Sequence, residues 1–259
     1  MLFLDYPSFF TCTNDDGILA DGLFALYEEL KGDFELSIVA PEVEMSAAGH
    51  AISLANPLRV RRFKRRGLFF GYGVSGTPAD CVKIGVQEIL AHRPDMIISG
   101  INMGSNVGIN LLYSGTVSAA TEGAFLGIPS VAISLNTKID PDFSFAARFS
   151  RRIIGFIVEH GLSEGTALNV NIPAIPEDQI RGVSFTTQDL VRQRDVFEKR
   201  NDPRGNNYYW LASETPVEES LPDTDLQILA ENRITITPIT FDLTDHKERE
   251  RLASLTFEL

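Results

Sequence analysis

The sequence predicts an α/β fold in which helices flank a doubly wound, mostly parallel β-sheet. Short apolar runs without a polar face, such as 94–100 and 128–135, are typical of strands that are covered on both sides. Along residues 8–135 these runs alternate with segments of helical periodicity. Strands that alternate with helices favour parallel pairing, so the first half of the chain is expected to form the core of the fold.

The individual elements follow from local signals. Leu23, Leu26 and Leu30 share one face of the first expected helix, and Thr77 followed by Pro78 is a typical helix start. The expected strands of this part are 8–13, 34–41, 94–100 and 128–135, and the expected helices are 20–32, 76–90 and 115–127.

Two segments interrupt the alternation. Residues 50–75 are predicted to form antiparallel strands inserted among the parallel ones. After an amphipathic helix at about 143–160, residues 181–243 return to strand-like patterns, and Pro238 marks the last strand as an edge strand or a bulge. The expected organisation is a core over 1–180, with the β insertion near 50–75, and a β-rich extension with a C-terminal arm over 181–259.

Composition and charge restrict the partners and the compartment. A net charge of −12 disfavours nucleic acid as the main partner, and no run approaches the roughly 20 apolar residues that cross a bilayer. Cys12 and Cys81 lie far apart, without metal-ligand spacing, and are interpreted as buried thiols in a reducing cytoplasm. Residues 1–8 lack the features of a signal peptide and are expected to lead into the first strand.

Polar side chains follow three expected strands at their carboxyl ends. Asp15 and Asp16 follow the first strand, Ser46 lies in the loop after the second, and Asn102 and Asn106 follow the strand at 94–100. Ligands of open α/β sheets bind at this edge. Carboxylate, amide and hydroxyl oxygens suit Mg²⁺, Mn²⁺ or Ca²⁺ rather than zinc, whereas the tetrapeptide 14–17 alone is also compatible with a solvated turn.

A second polar group opens the helix after the asparagine-rich loop. A helix start with free amides and small hydroxylated residues binds anions, although Ser114 or Thr116 alone also fits routine capping. Beside a metal site, phosphate binding is the favoured interpretation. The expected phosphate-binding residues are Asn106, Ser114, Gly115, Thr116 and Ser118.

The order and length of these motifs resemble the SurE-type stationary-phase survival protein family of metal-dependent 5′/3′-nucleotidases. The resemblance covers nearly the whole chain. The segments that carry it are TNDDG, SAAGHAIS, GTPADCV, SGINMGSNVG, YSGTVSAATEGAFLGIPSVAIS, NVNIP, DPRGNNYYW and TDLQILAENRITITPI.

The resemblance implies a Rossmann-like core with a C-terminal extension that is exchanged between subunits of a homodimer or homotetramer. It implies release of phosphate from nucleoside 5′-monophosphates, and from 3′-monophosphates as a further substrate. By motif, Asp15, Asp16, Ser46 and Asn102 correspond to the ligands of a divalent cation, with Mg²⁺ or Mn²⁺ expected at one per subunit.

The expected reaction is direct attack by a metal-activated water, with Asp15 or Asp16 accepting its proton. Asp15 is the favoured candidate, and a covalent aspartyl-phosphate is the rival route. The alternative functions are a broader phosphatase that includes polyphosphate and a non-catalytic nucleotide-binding sensor. A dinucleotide-dependent oxidoreductase is disfavoured because no G-x-G-x-x-G follows the first strand.

Overall fold

The structure, a computed structural model, describes residues 8–137, 139–216 and 220–256. Within them nine strands form one sheet in the order β3-β4-β2-β1-β5-β6-β7-β11-β8. The lead-in predicted for residues 1–8 lies outside these ranges except for Ser8. The strands of the sheet are β1 (Phe9–Thr13), β2 (Glu35–Pro41), β3 (Val60–Arg65), β4 (Leu68–Val74), β5 (Met96–Met103), β6 (Ser130–Asn136), β7 (Thr166–Pro173), β8 (Val183–Phe185) and β11 (Ile234–Thr240).

Helices cover both faces of this sheet, as the apolar strand pattern predicts. The α-helices are α1 (Asp21–Leu30), α2 (Pro78–Ile84), α3 (Gly115–Phe125), α4 (Ser144–His160), α5 (Asp225–Ala230) and α6 (His246–Ala253). A π-helical turn, Gly85–Ile89, continues α2. No helix in the described parts of the chain is long and apolar enough to cross a membrane.

Two consecutive residues of β5 show how the layers are built. Ile98 packs in a buried cluster with Leu26 of α1 and Ile154 of α4. Its neighbour Ile97 packs in a different cluster, with Val82 of α2. Since successive side chains of a strand point to opposite faces, α1 and α4 cover one face, and α2 and α3 cover the other.

The parallel core confirms the predicted fold class. β4, β2, β1, β5, β6 and β7 are all parallel, and each predicted strand and helix of the first half is found within a few residues of its expected bounds. Both cysteines are buried and free, as predicted.

The inserted segment differs from its prediction in one respect. β3 and β4 do form an antiparallel hairpin, but β4 then pairs in parallel with β2. The hairpin therefore lies at one end of the sheet, where β4 continues the parallel strands and β3 is the edge strand. Residues 50–59 form no strand.

The C-terminal part rejoins the same sheet. β11 pairs antiparallel with β7 and, over Ile234–Ile236 only, in parallel with β8. Pro238 therefore has a neighbouring strand on one side alone, which agrees with its prediction as an edge residue. The predicted division after residue 180 remains a prediction.

A separate two-stranded sheet projects between β8 and α5. It is formed by β9 (Gln193–Asn201) and β10 (Asn207–Pro216), which, in the part of the chain that the structure describes, pair only with each other. At the base of this hairpin, Thr187 and Thr224 form an isolated parallel bridge. The chain thus leaves and re-enters the body of the fold at neighbouring points.

Candidate active site

The acidic doublet lies in a tight turn directly after β1. The side-chain amide of Asn14 donates to the Gly17 carbonyl oxygen over 3.0 Å, which closes the turn. Gly17 has φ +100°, and a Cβ there would lie 3.3 Å from the carbonyl carbon of Val43. Glycine is needed at this position because the backbone is left-handed and the loop after β2 passes close by.

Asp15 is held by the start of α3. Its side chain is 4% exposed and accepts hydrogen bonds from the Thr116 hydroxyl and from the backbone at Gly115 and Thr116. A Cβ on Gly115 would lie 2.7 Å from Cβ of Asp15 and 2.9 Å from Cγ of Pro78. The helix approaches the carboxylate this closely because Gly115 has no side chain.

Both carboxylates of the doublet have raised pKa values. Burial raises the pKa of Asp15, and the hydrogen bonds from Thr116 and Gly115 offset only part of that effect. Burial, followed by the neighbouring Asp15 carboxylate, raises the pKa of Asp16 to about 6. Among the described residues, no basic side chain compensates either group, so their charged forms are unfavourable in the protein alone.

Asn102 lies near the carboxyl end of β5, directly after an irregularity in that strand. The pairing of β5 with β6 shifts register between Ser99 and Asn102, and a Cβ on Gly100 would lie 2.4 Å from the Ile133 carbonyl oxygen. Such bulges redirect side chains at the ends of strands. The Asn102 amide nitrogen donates to the Gly104 carbonyl oxygen over 2.6 Å, which turns the amide oxygen the other way.

The next residue connects this strand to the doublet. The backbone N–H of Met103 donates to Oδ2 of Asp16 over 3.2 Å. The ends of β1 and β5, which are adjacent strands, are therefore joined through Asp16 as well as through their ladder.

Ser46 lies in a loop that is tied to the doublet by its backbone. The N–H of Met45 donates to the Asp15 carbonyl oxygen over 2.7 Å. The Ser46 side chain is exposed, and its hydroxyl donates to Oε1 of Glu44 over 2.7 Å. The structure brings the loop to the site, and Glu44 is a residue that the sequence interpretation missed.

The predicted phosphate-binding residues are engaged within the helix start. The Ser114 hydroxyl caps α3 by accepting from the Val117 N–H over 3.1 Å. Ser118 donates both its N–H, over 3.1 Å, and its hydroxyl, over 2.6 Å, to the Ser114 carbonyl oxygen. Gly115 and Thr116 donate hydrogen bonds to Asp15, so the helix start and the doublet are in direct contact.

Asn106 is fixed by two asparagines of β7 that the sequence interpretation did not assign to the site. Asn171 accepts from the Asn106 N–H over 2.7 Å and donates to its carbonyl oxygen over 2.9 Å, and Asn169 donates to the same oxygen over 2.8 Å. The Asn106 amide donates to Ser134 over 2.9 Å. The motif NVNIP carried the signal, because residues i and i+2 of a strand share a face.

His50 anchors its loop to α3. Its Nε2 lies 2.9 Å from Oε2 of buried Glu122, and its Nδ1 lies 3.3 Å from the Thr121 hydroxyl. Lys83 donates to the other Glu122 oxygen over 2.9 Å. Glu122 was not singled out from the sequence, since one glutamate inside a helix gives no local signal.

The donor set fits a hard divalent cation. In the ranges 8–137, 139–216 and 220–256, no three His, Cys, Asp or Glu side chains gather into a metal cluster, so any ion would need amide or hydroxyl oxygens beside the two carboxylates. Asn102 and Ser46 carry such oxygens. One buried and one half-buried carboxylate, side by side and uncompensated, are the observation that favours a cation here.

Fold and site together define a doubly wound α/β protein with an acidic site at the carboxyl edge of its sheet, beside an amide-lined helix start. The family described as "Survival protein SurE" matches residues 10–195. The chain belongs to the SurE family.

Similar proteins cover almost all of the chain. It is 53% identical to the 5′-nucleotidase SurE of Syntrophus aciditrophicus (strain SB), over 94% of this chain and 92% of that protein. It is 48% identical to the 5′-nucleotidase SurE of Syntrophobacter fumaroxidans (strain DSM 10017 / MPOB), over 91% and 94%. The crystal structure of SurE from Aquifex aeolicus matches with a TM-score of 0.82 and 36% identity, over 94% and 98%.

Proposed function

We propose that this chain is a divalent-metal-dependent phosphomonoesterase, a 5′-nucleotidase that hydrolyses nucleoside 5′-monophosphates to nucleoside and phosphate. Nucleoside 3′-monophosphates are proposed as further substrates. The observation that carries the proposal is the Asp15–Asp16 doublet, with buried Asp15 held against the start of α3, in a chain that is 53% identical to a 5′-nucleotidase.

The proposed metal ligands are the two carboxylates, Ser46 and Asn102, with Mg²⁺ or Mn²⁺ at one per subunit. When bound, such an ion neutralises charge on the phosphoryl oxygens and lowers the pKa of water. The support is the chemistry of the four side chains and the raised pKa values of Asp15 and Asp16, because a dication favours the ionised form of both.

The proposed role of the helix start is to hold the phosphoryl group. The proposed phosphate-binding residues are Asn106, Ser114, Gly115, Thr116 and Ser118. Amides and hydroxyls at a helix N-terminus stabilise the negative charge that develops on phosphoryl oxygens in the transition state. Ser118 contributes through its two hydrogen bonds to the Ser114 carbonyl oxygen, which keep the capping residue in place.

Asp15 and Asp16 are the proposed catalytic residues, and one of them accepts the proton of the attacking water. Asp15 is held by Thr116 and Gly115, whereas Asp16 is held by the Met103 N–H. A fixed carboxylate of raised pKa accepts a proton more readily than an ordinary one. The rival route is attack by the carboxylate itself, which would form an aspartyl-phosphate.

Water labelled with heavy oxygen separates these two routes. In a single turnover, direct attack places the label in free phosphate and leaves the doublet unlabelled. Label in the peptide that contains Asp15 and Asp16, found by mass spectrometry, would establish the covalent route instead.

Phosphate release from adenosine and guanosine monophosphates tests the function. Activity is expected with Mn²⁺ or Mg²⁺, and loss is expected with a chelator and in Asp16→Ala. Asp21→Asn is the matched control, because Asp21 is an exposed carboxylate on α1 that pairs with Arg65 over 2.6 Å. Turnover that survives the chelator would refute metal dependence, and nucleotide binding without turnover would indicate a sensor.

A broader phosphatase that includes polyphosphate is the second candidate, favoured by the basic strand β3 at the exposed end of the sheet. Much of its charge is already paired, since Arg65 contacts Asp21 and Arg61 contacts Glu42 over 3.3 Å. Comparison of phosphate release from polyphosphate and from adenosine monophosphate at equal phosphate concentration decides between the two.

We also propose a homodimer or homotetramer in the cytoplasm, built through the β9–β10 hairpin or an exchanged C-terminal arm. β10 exposes Tyr208, Tyr209, Trp210 and Leu211, of which Trp210 is 60% exposed. Their alternative proposed role is to stack on the base of the nucleotide. Removal of the chain from Thr224 onward would also remove α5 and β11 from the body, so substitutions on the hairpin are the cleaner test.

A further inference from the structure

We infer that Glu44 is a positioning residue for the proposed metal site: it accepts the hydroxyl proton of Ser46 and thereby presents the oxygen lone pairs of Ser46 to the cation. The inference rests on the proposed function, because it assumes that a dication binds beside Asp15 and Asp16. It adds a residue to that site that acts through a ligand and is not itself a ligand.

The hydrogen bond between the two side chains is the first step. Oγ of Ser46 lies 2.7 Å from Oε1 of Glu44, a distance typical of a hydroxyl that donates to a carboxylate. A serine hydroxyl has one proton and two lone pairs. Once the proton points at Glu44, the hydroxyl can only accept from, or coordinate, a further partner, and a metal ligand must offer a lone pair.

The backbone places this pair beside the doublet. Met45, between Glu44 and Ser46, donates its N–H to the Asp15 carbonyl oxygen over 2.7 Å. Glu44 also passes close to the turn at Gly17, where a Cβ would lie 3.4 Å from the Glu44 nitrogen. The loop is thus fixed to the turn that carries both carboxylates.

Electrostatics support the same placement. The Glu44 carboxylate contributes to the raised pKa of Asp16, after burial and Asp15, so its charge acts on the doublet. It does not join Asp15 and Asp16 in a cluster of three, since the described residues contain no such metal-binding group. Glu44 is therefore near enough to act on the site and is placed to do so through Ser46.

Glu42 offers a matched control in the same loop. Its carboxylate pairs with Arg61 of β3 over 3.3 Å and is not among the groups that shift the pKa of Asp16. Removal of its side chain alters the loop and the net charge in the same way as removal of Glu44, without touching Ser46.

Manganese binding, measured by the electron paramagnetic resonance signal of free Mn²⁺ in a titration of the full chain without substrate, tests the inference. Glu44→Ala is expected to weaken binding about tenfold, the lower end of what loss of an outer partner does to metal affinity. Ser46→Ala, which removes the ligand itself, is expected to weaken binding at least as much. Glu44→Gln keeps an acceptor for the hydroxyl and is expected to lose about threefold, because neutral hydrogen bonds are weaker. Glu42→Ala is expected to bind within about twofold of the original chain.

The double variant Glu44→Ala with Ser46→Ala gives the decisive result. If Glu44 acts through Ser46, the double variant binds Mn²⁺ as well as Ser46→Ala alone. If Glu44→Ala weakens Mn²⁺ binding by the same factor in the Ser46→Ala background as in the original chain, the inference is overturned in favour of simple charge attraction. Unchanged binding in Glu44→Ala or in Ser46→Ala would overturn it as well.

The same titration distinguishes this inference from the proposed function. Tight binding by the original chain that is lost in Asp16→Ala, together with unchanged binding in Glu44→Ala, would refute the role of Glu44 and leave the metal site intact. Absence of Mn²⁺ binding by the original chain would refute both. Circular dichroism melting of each variant shows whether the fold is retained.

Discussion

The carboxyl edge of the sheet buries polar side chains, whereas the β9–β10 hairpin exposes apolar ones. At the edge, carboxylates and amides are buried, as with Asp15 at 4% and Asn106 at 8% exposure. On the hairpin, aromatic side chains face solvent, as with Tyr209 at 59% and Trp210 at 60%. Buried polar groups and exposed apolar groups are the informative exceptions in a folded protein, and here each indicates a missing partner.

The two regions differ in how they are held. The edge is braced by contacts from distant parts of the chain, including Asn171 to Asn106 and Asp225, whose carboxylate accepts the Gly108 N–H over 3.0 Å. The hairpin pairs only with itself, and an isolated two-stranded hairpin is marginally stable in water. The edge is thus organised by the single chain, whereas the strands of the hairpin have only each other as pairing partners among the described residues.

Gly115→Ala is expected to have the largest effect on the edge. The new Cβ would meet Asp15 at 2.7 Å, so activity should fall about a hundredfold and stability by about 2 kcal/mol. Gly155→Ala on α4 is the control, because a Cβ there meets nothing within 4 Å, and it should gain up to about 1 kcal/mol with unchanged activity. Phosphate release and denaturant unfolding measure both; a Gly115→Ala enzyme with more than a tenth of the activity would contradict the close approach.

Asn171→Leu should affect the same edge more moderately. It leaves the buried Asn106 N–H without its partner, while Asn169 still donates to the Asn106 carbonyl oxygen. The loss is expected to lower the free energy of unfolding by about 2 kcal/mol and kcat about tenfold. Ser150→Ala, which removes a buried hydroxyl bonded to Ala146 within α4, is the control with an expected loss of about 1 kcal/mol and full activity. Equal stability and activity of the two variants would show that the hydrogen bonds between Asn171 and Asn106 have no role in the site.

Asp16→Asn is expected to stabilise the metal-free protein. The pKa of Asp16 is about 6 in the fold, above its ordinary value, so the charged form destabilises the fold fully above pH 6 and not at all below about pH 4. The variant should melt about 3 °C higher at pH 7, allowing for screening of a partly exposed group, and the difference should vanish near pH 4. Melting in chelator across this range measures it.

Asp142→Asn supplies a control of opposite sign for this pH dependence. Hydrogen bonds from Ser144 lower the pKa of Asp142, so its charged form stabilises the fold above about pH 4. The variant should therefore melt slightly lower at pH 7. If the melting temperatures of both variants changed in the same direction at pH 7, the environment assigned to Asp16 would be wrong.

Trp210→Ser should have the smallest effect on the fold and a clear effect on assembly. Loss of an exposed ring from the hairpin is expected to change the stability of one chain by less than about 0.5 kcal/mol. The particle mass by size-exclusion chromatography with light scattering should decrease. Leu54→Ser removes an 87% exposed side chain outside the hairpin and should leave the mass unchanged; an unchanged mass in both would contradict assembly through the hairpin.

Local patterns predicted the parallel core, because a strand such as β6 is apolar throughout and is bounded by turns. They did not predict that β4 pairs in parallel with β2, since pairing partners are set by distant contacts. The doublet and the helix start were readable as local motifs. No short motif specifies strand register or the approach of one loop to another. These decide the bulge before Asn102, the hydrogen bonds between Asn171 and Asn106, and the hydrogen bond that Ser46 donates to Glu44.

The bridge between Thr187 and Thr224 closes the base of the hairpin, so the main sheet does not depend on the hairpin for its continuity. Thr187 accepts the Asp225 N–H over 2.8 Å, so the outgoing and returning segments are fastened to each other before either reaches β9 or β10. A short flexible linker in place of the hairpin should therefore leave the nine-stranded sheet continuous.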